Sequence, residues 1–224
     1  KQAGMPYALG TVVDALGNQQ HITRALIRLF HLLHDPAFGT DRAAALQAAD
    51  DAIVTSLAQV TSIDEDRIIR LYHAVIHACL RTNFFLDSGR LALAFKLDSA
   101  KVPGLPKPLP WREIWVYSQR VEGIHLRSGP VARGGLRWSD RRDDFRTEIL
   151  GLMKAQRVKN AVIVPAGAKG GFYPKQLPSP VNRDAWLAEG TESYRIFIRS
   201  LLSVTDNIVS NAVVHPEGMI VRDG

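Results

Sequence analysis

The sequence predicts an α/β fold, with a helical N-terminal lobe packed on a mixed β-sheet and further helices covering that sheet. Three observations carry the prediction. Apolar residues recur at the three-to-four spacing of a buried helix face from Ile22 to Leu80. Prolines 103, 106, 108 and 110 then interrupt the chain, and alternating or β-branched runs replace the helical period beyond them. Finally, the β-branched run Asn160 to Val164 leads straight into a glycine-rich segment, the pattern of a buried strand and the turn after it. These shifts divide the chain into a helical lobe (1–100), a proline-rich connector (101–110) and an α/β lobe (111–224).

The elements follow in order. Ile22, Leu26, Leu29, Phe30 and Leu33 mark one helix, and Leu46, Ala49, Ile53 and Leu57 give the inner stripe of a second over Arg42 to Val60. Ser62 and Glu65 have capping-box spacing, and Ile68, Leu71, Tyr72, Val75, Ile76, Cys79 and Leu80 continue a third helix. A strand fits Leu91 to Leu97, where leucine and phenylalanine alternate with alanine. Two neighbouring strands fit Glu113 to Ser118 and Glu122 to Arg127. A Gly/Arg-rich loop covers Ser128 to Arg142, and a helix runs from Asp143 to Val158. After the strand at 160–164 and the glycine-rich turn at 166–171, a long helix spans Asp184 to Val204.

Composition excludes several classes. At 224 residues the chain can bury a core without disulfides or a metal. Its 46% apolar and 22% charged residues are ordinary for a globular protein, which removes disordered, collagen-like and coiled-coil readings. The single cysteine, Cys79, excludes a disulfide framework and fits a reducing, cytoplasmic setting. Apolar runs fall short of a membrane span, and no apolar stretch of signal-peptide length follows Lys1. The net charge of +6 suits anions of several kinds without choosing among them. Its densest basic stretch, from Arg133 to Arg157, is interrupted by acidic residues and reads alone as a solvated mixed-charge face.

Lys169, within Ala-Gly-Ala-Lys-Gly-Gly (166–171), is the strongest local feature. It would stand at the carboxyl end of a strand, where open α/β sheets bind ligands. A phosphate loop needs Ser or Thr after the lysine, and Gly170 stands there. Lys159 lies ten residues upstream, with Gln156 three residues before it on the same helix face. Arg133, Gly134 and Gly135 add a guanidinium beside backbone that a ligand can approach closely. Three cations converging on one cleft would suit a doubly negative small molecule. Like charge nearby would also lower a lysine's pKa enough for its neutral amine to act as a base near neutrality. A flexible turn with a solvated lysine, and surface cations elsewhere, remain open readings.

Taken together, Arg-Gly-Gly-Leu-Arg (133–137), Gln-Arg-Val-Lys-Asn (156–160) and Pro-Ala-Gly-Ala-Lys-Gly-Gly (165–171) resemble the substrate domain of glutamate dehydrogenases. The surrounding words are similar to the very long-chain, NAD-specific bacterial class. The likeness is dense from Arg112 to Phe172. It implies oxidative deamination of L-glutamate to 2-oxoglutarate and ammonium, with Lys169 as the catalytic lysine that activates water. It further implies that Lys159 and Gln156 hold the α-carboxylate, Lys159 also polarising the keto oxygen, and that Arg133 beside Gly134 holds the distal carboxylate. Arginine stands where short-chain members place lysine, which keeps the charge and adds a planar fork. NAD is the implied cofactor, yet Gly-x-Gly-x-x-Gly after a strand is absent, so its domain is expected beyond residue 224. The acidic proton-transfer residue finds no match, and Asp223 is not assigned that role. A homo-oligomeric parent enzyme is implied, with no nucleic-acid or membrane partner.

Other features point elsewhere only weakly. His73 and His77 have the i, i+4 spacing that can hold zinc, but Ala74 is not a zinc-protease glutamate and no third ligand is evident, so no metal is expected. Cys79 sits on an apolar stripe as a buried thiol. Trp111, Trp115 and Trp138 read as packing residues rather than a nucleic-acid stacking face. Three readings compete: another amino-acid dehydrogenase, a phosphate- or anion-binding module, and a silent structural domain on the same fold.

Overall fold

A computed structural model describes residues 6–39, 41–159 and 166–223, with side chains for all of these except 157–159. Four helices lead the chain: α1 (Leu9–Asn18), α2 (Gln20–His34), α3 (Arg42–Leu57) and α4 (Ile63–Ala78). The predicted stripes turn inward together. Ile22, Leu26, Leu29 and Leu32 of α2 meet Ile53 and Leu57 of α3 and Ile69 of α4 in one buried cluster. Each such side chain contributes about 1.5–3 kcal/mol by leaving water. Ser62 caps α4 by accepting a hydrogen bond from the Glu65 N–H at 3.4 Å. The Glu65 carboxylate does not turn back to close a capping box. It accepts from Asn18 and Gln19, at 2.8 Å each, and ties the α1–α2 junction to the first turn of α4.

The sheet combines β1 (Cys79–Thr82), β2 (Leu93–Leu97), β3 (Arg112–Tyr117), β4 (Val121–Arg127), β5 (Leu136–Trp138) and β6 (Ala168–Pro174) in the order β1-β2-β3-β4-β6-β5. Every pairing is antiparallel except β5 with β6. Helix α5 (Phe145–Lys159) connects that parallel pair, and α6 (Arg183–Leu202) covers the opposite face. Ile124 and Leu126 of β4 pack with Ile149 and Met153 of α5, whereas Ala94, Ile114, Val116 and Phe172 pack with Ile196 and Phe197 of α6. A small hairpin, β7 (Asn207–Val209) and β8 (Ala212–Val214), follows α6. The mixed sheet with flanking helices and a helical N-terminal lobe matches the expected class.

Several local expectations differ. The third helix stops at Ala78, and Cys79 and Leu80 belong to β1. Pairing with Leu97 and its neighbours on β2 takes over where the helical period would have continued. The Gly/Arg-rich loop contains β5, and the glycine-rich turn at 166–171 is largely the first half of β6. The predicted strand at 160–164 lies outside the described residues. Cys79 is 2% exposed and burial pushes its thiol up to about 12, so it is an inert structural group. Trp115 donates to Glu113 at 3.2 Å, Trp138 stacks on Trp186 at 4.4 Å, and the Arg112 guanidinium lies over Trp111.

Candidate active site

The parallel pair fixes the neighbourhood of Lys169. Arg133 bridges Gly167, and the ladder continues with Leu136 opposite Gly170. Its hydrogen bonds run from Arg133 N–H to Ala166 O (3.2 Å), Ala168 N–H to Arg133 O (2.9 Å) and Gly170 N–H to Gly135 O (3.1 Å). Ser128 anchors the entry: its hydroxyl accepts from the Gly167 N–H at 2.7 Å and donates to Gly167 O at 2.8 Å. Two strands can lie this close only because glycine stands at the contact. A Cβ on Gly134 would sit 1.4 Å from Ala168 O, and one on Gly170 would sit 2.3 Å from Leu136 Cδ2.

Lys169 therefore stands at the start of β6 rather than in a turn; the strand expected just before it lies outside the described residues. Its side chain is half-buried and folds across β5, with Nζ 3.9 Å from where a Cβ on Gly135 would be. That missing side chain leaves room beside the ammonium for a small ligand. Strand alternation puts Lys169 on the same face as Gly171, whose Cα abuts Ile149 of α5. A helix between adjacent parallel strands runs antiparallel to them. From Ile149 to Gln156 it rises about 10 Å, and from Gly171 back to Lys169 the strand covers about 7 Å in the same direction. The last turn of α5, bearing Gln156, thus comes over the end of the sheet that carries Lys169 and Arg133. Gln156 is half-buried there. α5 extends to Lys159, whose side chain lies outside the described ones.

Other arginines of the β5–α5 unit are paired. Arg137 pairs with Glu148, which also accepts from the Ser139 hydroxyl at 2.6 Å, while Arg141 pairs with Asp144 and Arg146 with Glu113. These arginines are neutralised scaffold, which separates them from the cations a ligand can use. Among the described residues neither Arg133 nor Lys169 has a carboxylate within 4 Å. Sequence reasoning missed Ser128 and Glu148 as the groups that hold β5 and β6 in place. The mixed-charge pattern around Glu148 was their only signal. Asp223, left unassigned, is 5% exposed at its side chain and held by Arg81 (2.5 Å) and Lys96 (2.6 Å).

The described residues do not fit NAD. A dinucleotide pyrophosphate is held by free backbone N–H groups of a glycine-rich turn opening a helix. Here the glycine-rich segment enters a strand, and its N–H groups at 168 and 170 are spent on Arg133 O and Gly135 O.

Two cations without a carboxylate partner among the described residues, Arg133 and Lys169, thus stand on adjacent parallel strands joined by a crossover helix, in a lobe of the α/β class. The bacterial NAD-glutamate dehydrogenase catalytic-domain model matches residues 52–224, and the chain belongs to that family. It is 51% identical over 216 residues to the NAD-specific glutamate dehydrogenase of Halomonas elongata, which covers 95% of this chain and 13% of that protein. It is 48% identical to the enzymes of that name from Pseudomonas aeruginosa and Mycobacterium tuberculosis, over 100% of this chain and 14% and 15% of theirs. The chain thus spans about one seventh of the length of these curated relatives.

Proposed function

We propose that this chain supplies the substrate-holding and acid–base half of NAD-dependent oxidative deamination of L-glutamate to 2-oxoglutarate and ammonium. The observation that carries the reading is the β5–β6 register, which brings Arg133 and Lys169, both without a carboxylate partner among the described residues, to adjacent strands, with Lys169 Nζ beside the open position at Gly135. In this reading Arg133 grips the distal carboxylate, with Gly134 allowing close approach of the chain. Gln156 and Lys159 hold the α-carboxylate, and Lys159 polarises the carbonyl oxygen of the keto acid. Lys169 takes the proton from the water that adds to the imine carbon and returns it as ammonium leaves. Placement of both carboxylates supplies much of the barrier reduction, on the order of several kcal/mol. The proposed division takes 111–224 as the substrate lobe, joined through 101–110 to a mainly helical lobe at 1–100 whose β1 and β2 extend the same sheet. The cofactor belongs to parts other than the described residues.

The complete gene product carrying this chain tests the reading through NAD reduction with L-glutamate. Lys169→Ala is expected to lower the rate by about 10²–10⁴-fold, the usual worth of a general acid–base group, while melting normally. Retention of the wild-type rate by that variant removes Lys169 from the chemistry. Absence of glutamate-dependent reduction in the wild type removes the substrate assignment itself.

A further inference from the structure

Away from the cationic cleft, three side chains of the helical lobe converge on one point. His73 and His77 project from the same face of α4, and Asp50 reaches them from α3. His73 Nε2 and His77 Nε2 both lie against the same carboxylate oxygen, Asp50 Oδ1, at 2.7 and 2.8 Å. The rings stand almost perpendicular, 4.7 Å apart, so their Nε2 atoms approach that oxygen from different directions. One ligand atom from each residue lies within 4.8 Å of the other two, and no second group of three such donors occurs among the described residues.

We infer that Asp50, His73 and His77 form a divalent transition-metal site, with zinc the ion it suits best. The donor set is two imidazoles and one carboxylate, a borderline-soft nitrogen-rich combination. In a tetrahedral zinc site, donors about 2.0–2.1 Å from the ion are about 3.3 Å from one another. Moving Asp50 Oδ1 back by roughly half an ångström from each imidazole therefore makes room for the ion. All three side chains are between 22% and 35% exposed, which leaves a fourth position open to water. The site bridges α3 and α4, so an ion there would clasp two helices that otherwise meet through the apolar cluster each forms with α2. The sequence offered only the i, i+4 histidines. Asp50 lies 23 residues before His73, and only the α3–α4 packing brings it in.

The test uses the full chain, stripped with a chelator and titrated with Zn²⁺ against a chromophoric competitor, and in parallel with Co²⁺ read by visible absorption. The expected result is one ion per chain and the strong ligand-field bands of four-coordinate cobalt. His77→Asn and Asp50→Asn should each weaken binding by more than the roughly 10–100-fold that loss of an outer-shell partner costs. If His77→Asn does not fold, Asp50→Asn, nearly identical in shape, decides the variant arm. No stoichiometric binding, absence of the cobalt bands, or unchanged affinity in Asp50→Asn overturns the site and leaves a metal-free His–Asp–His contact.

Discussion

Gly134 shows how one residue type can be dictated by a neighbour's backbone rather than by its own torsion. Its φ lies outside the left-handed region, yet an added Cβ would occupy the Ala168 carbonyl oxygen. No side-chain rotation relieves that overlap, so Gly134→Ala must push β5 away from β6. Chemical denaturation is expected to register a loss of about 3 kcal/mol, the upper range for overpacking a well-fitted site. Gly151, on an exposed turn of α5, has nothing within 4 Å of the same position. Gly151→Ala should therefore gain about 0.5–1 kcal/mol by lowering the entropy of the unfolded chain. Opposite signs from two glycines of one β5–α5–β6 unit would separate close approach from mere flexibility. Equal effects would show that the β5–β6 contact yields more easily than its geometry states.

At the scale of elements, α5 is held to the sheet by a fully buried ion pair as well as by apolar packing. Arg146 donates through Nε and Nη2 to the two oxygens of Glu113 on β3, at 3.0 and 2.6 Å, and neither side chain is more than 1% exposed. Removing one partner strands a buried charge. Arg146→Met should therefore cost about 3–5 kcal/mol, whereas Arg146→Met combined with Glu113→Leu should recover most of that loss. A urea series on the two variants distinguishes a stabilising pair from a pair whose members merely satisfy each other. Helices were legible where an amphipathic period runs unbroken, as in α2 and most of α4, whereas alanine-rich α3 was legible only through the inner stripe of Ala49, Ile53 and Leu57. Three features resisted for physical reasons. β5 is three residues long and owes its extended form to β6, so nothing local announces it. β6 carries two adjacent glycines, which read as a turn because the packing of Leu136 and Ile149 against their backbone is a tertiary fact. The β7–β8 hairpin turns at Ser210 and Asn211, both at positive φ, without the Asn-Gly pair that usually marks such a turn. The cationic motif itself was legible because its residue types are chemically restrictive. Its position on the strand was not, because β4, β5 and β6 decide that together.

Across the whole molecule, stability has two separate acid limits, one set by the charge that stitches residues 206–223 to the sheet and one by two desolvated histidines. Arg81 on β1 is 1% exposed and pairs with Asp206 and Asp223, while Lys96 on β2 takes the other oxygen of Asp223. The Arg81 hydrogen bond, opposed by burial and helped by His215, holds the Asp206 carboxyl at about 2. For Asp223, burial pushes upward but Lys96 and Arg81 outweigh it, and its carboxyl also lies below the ordinary range. Two histidines titrate low for a different reason. Burial, reinforced by Arg222, pushes His34 down to about 3, and burial with Arg127 pushes His125 down to about 4. Both kinds of group have folded values below their unfolded ones, so the unfolded chain binds more protons across each gap and acid favours unfolding. The windows differ. The histidine contribution is complete above about pH 6.5 and is lost as pH falls toward 4 and then 3. The aspartate contribution is complete above about pH 4 and is lost toward 2. Unfolding free energy measured against pH should thus begin to decline below about 6.5, at a slope of up to about 1.4 kcal/mol per pH unit for each histidine, before any carboxylate responds. His34→Leu should remove the His34 share of the upper stage, leaving that of His125 and the lower stage, and Asp206→Asn should reduce the lower stage and leave the upper one. A decline that starts only near pH 4 in the wild type would mean that both imidazoles reach water in the folded state, contrary to their burial here.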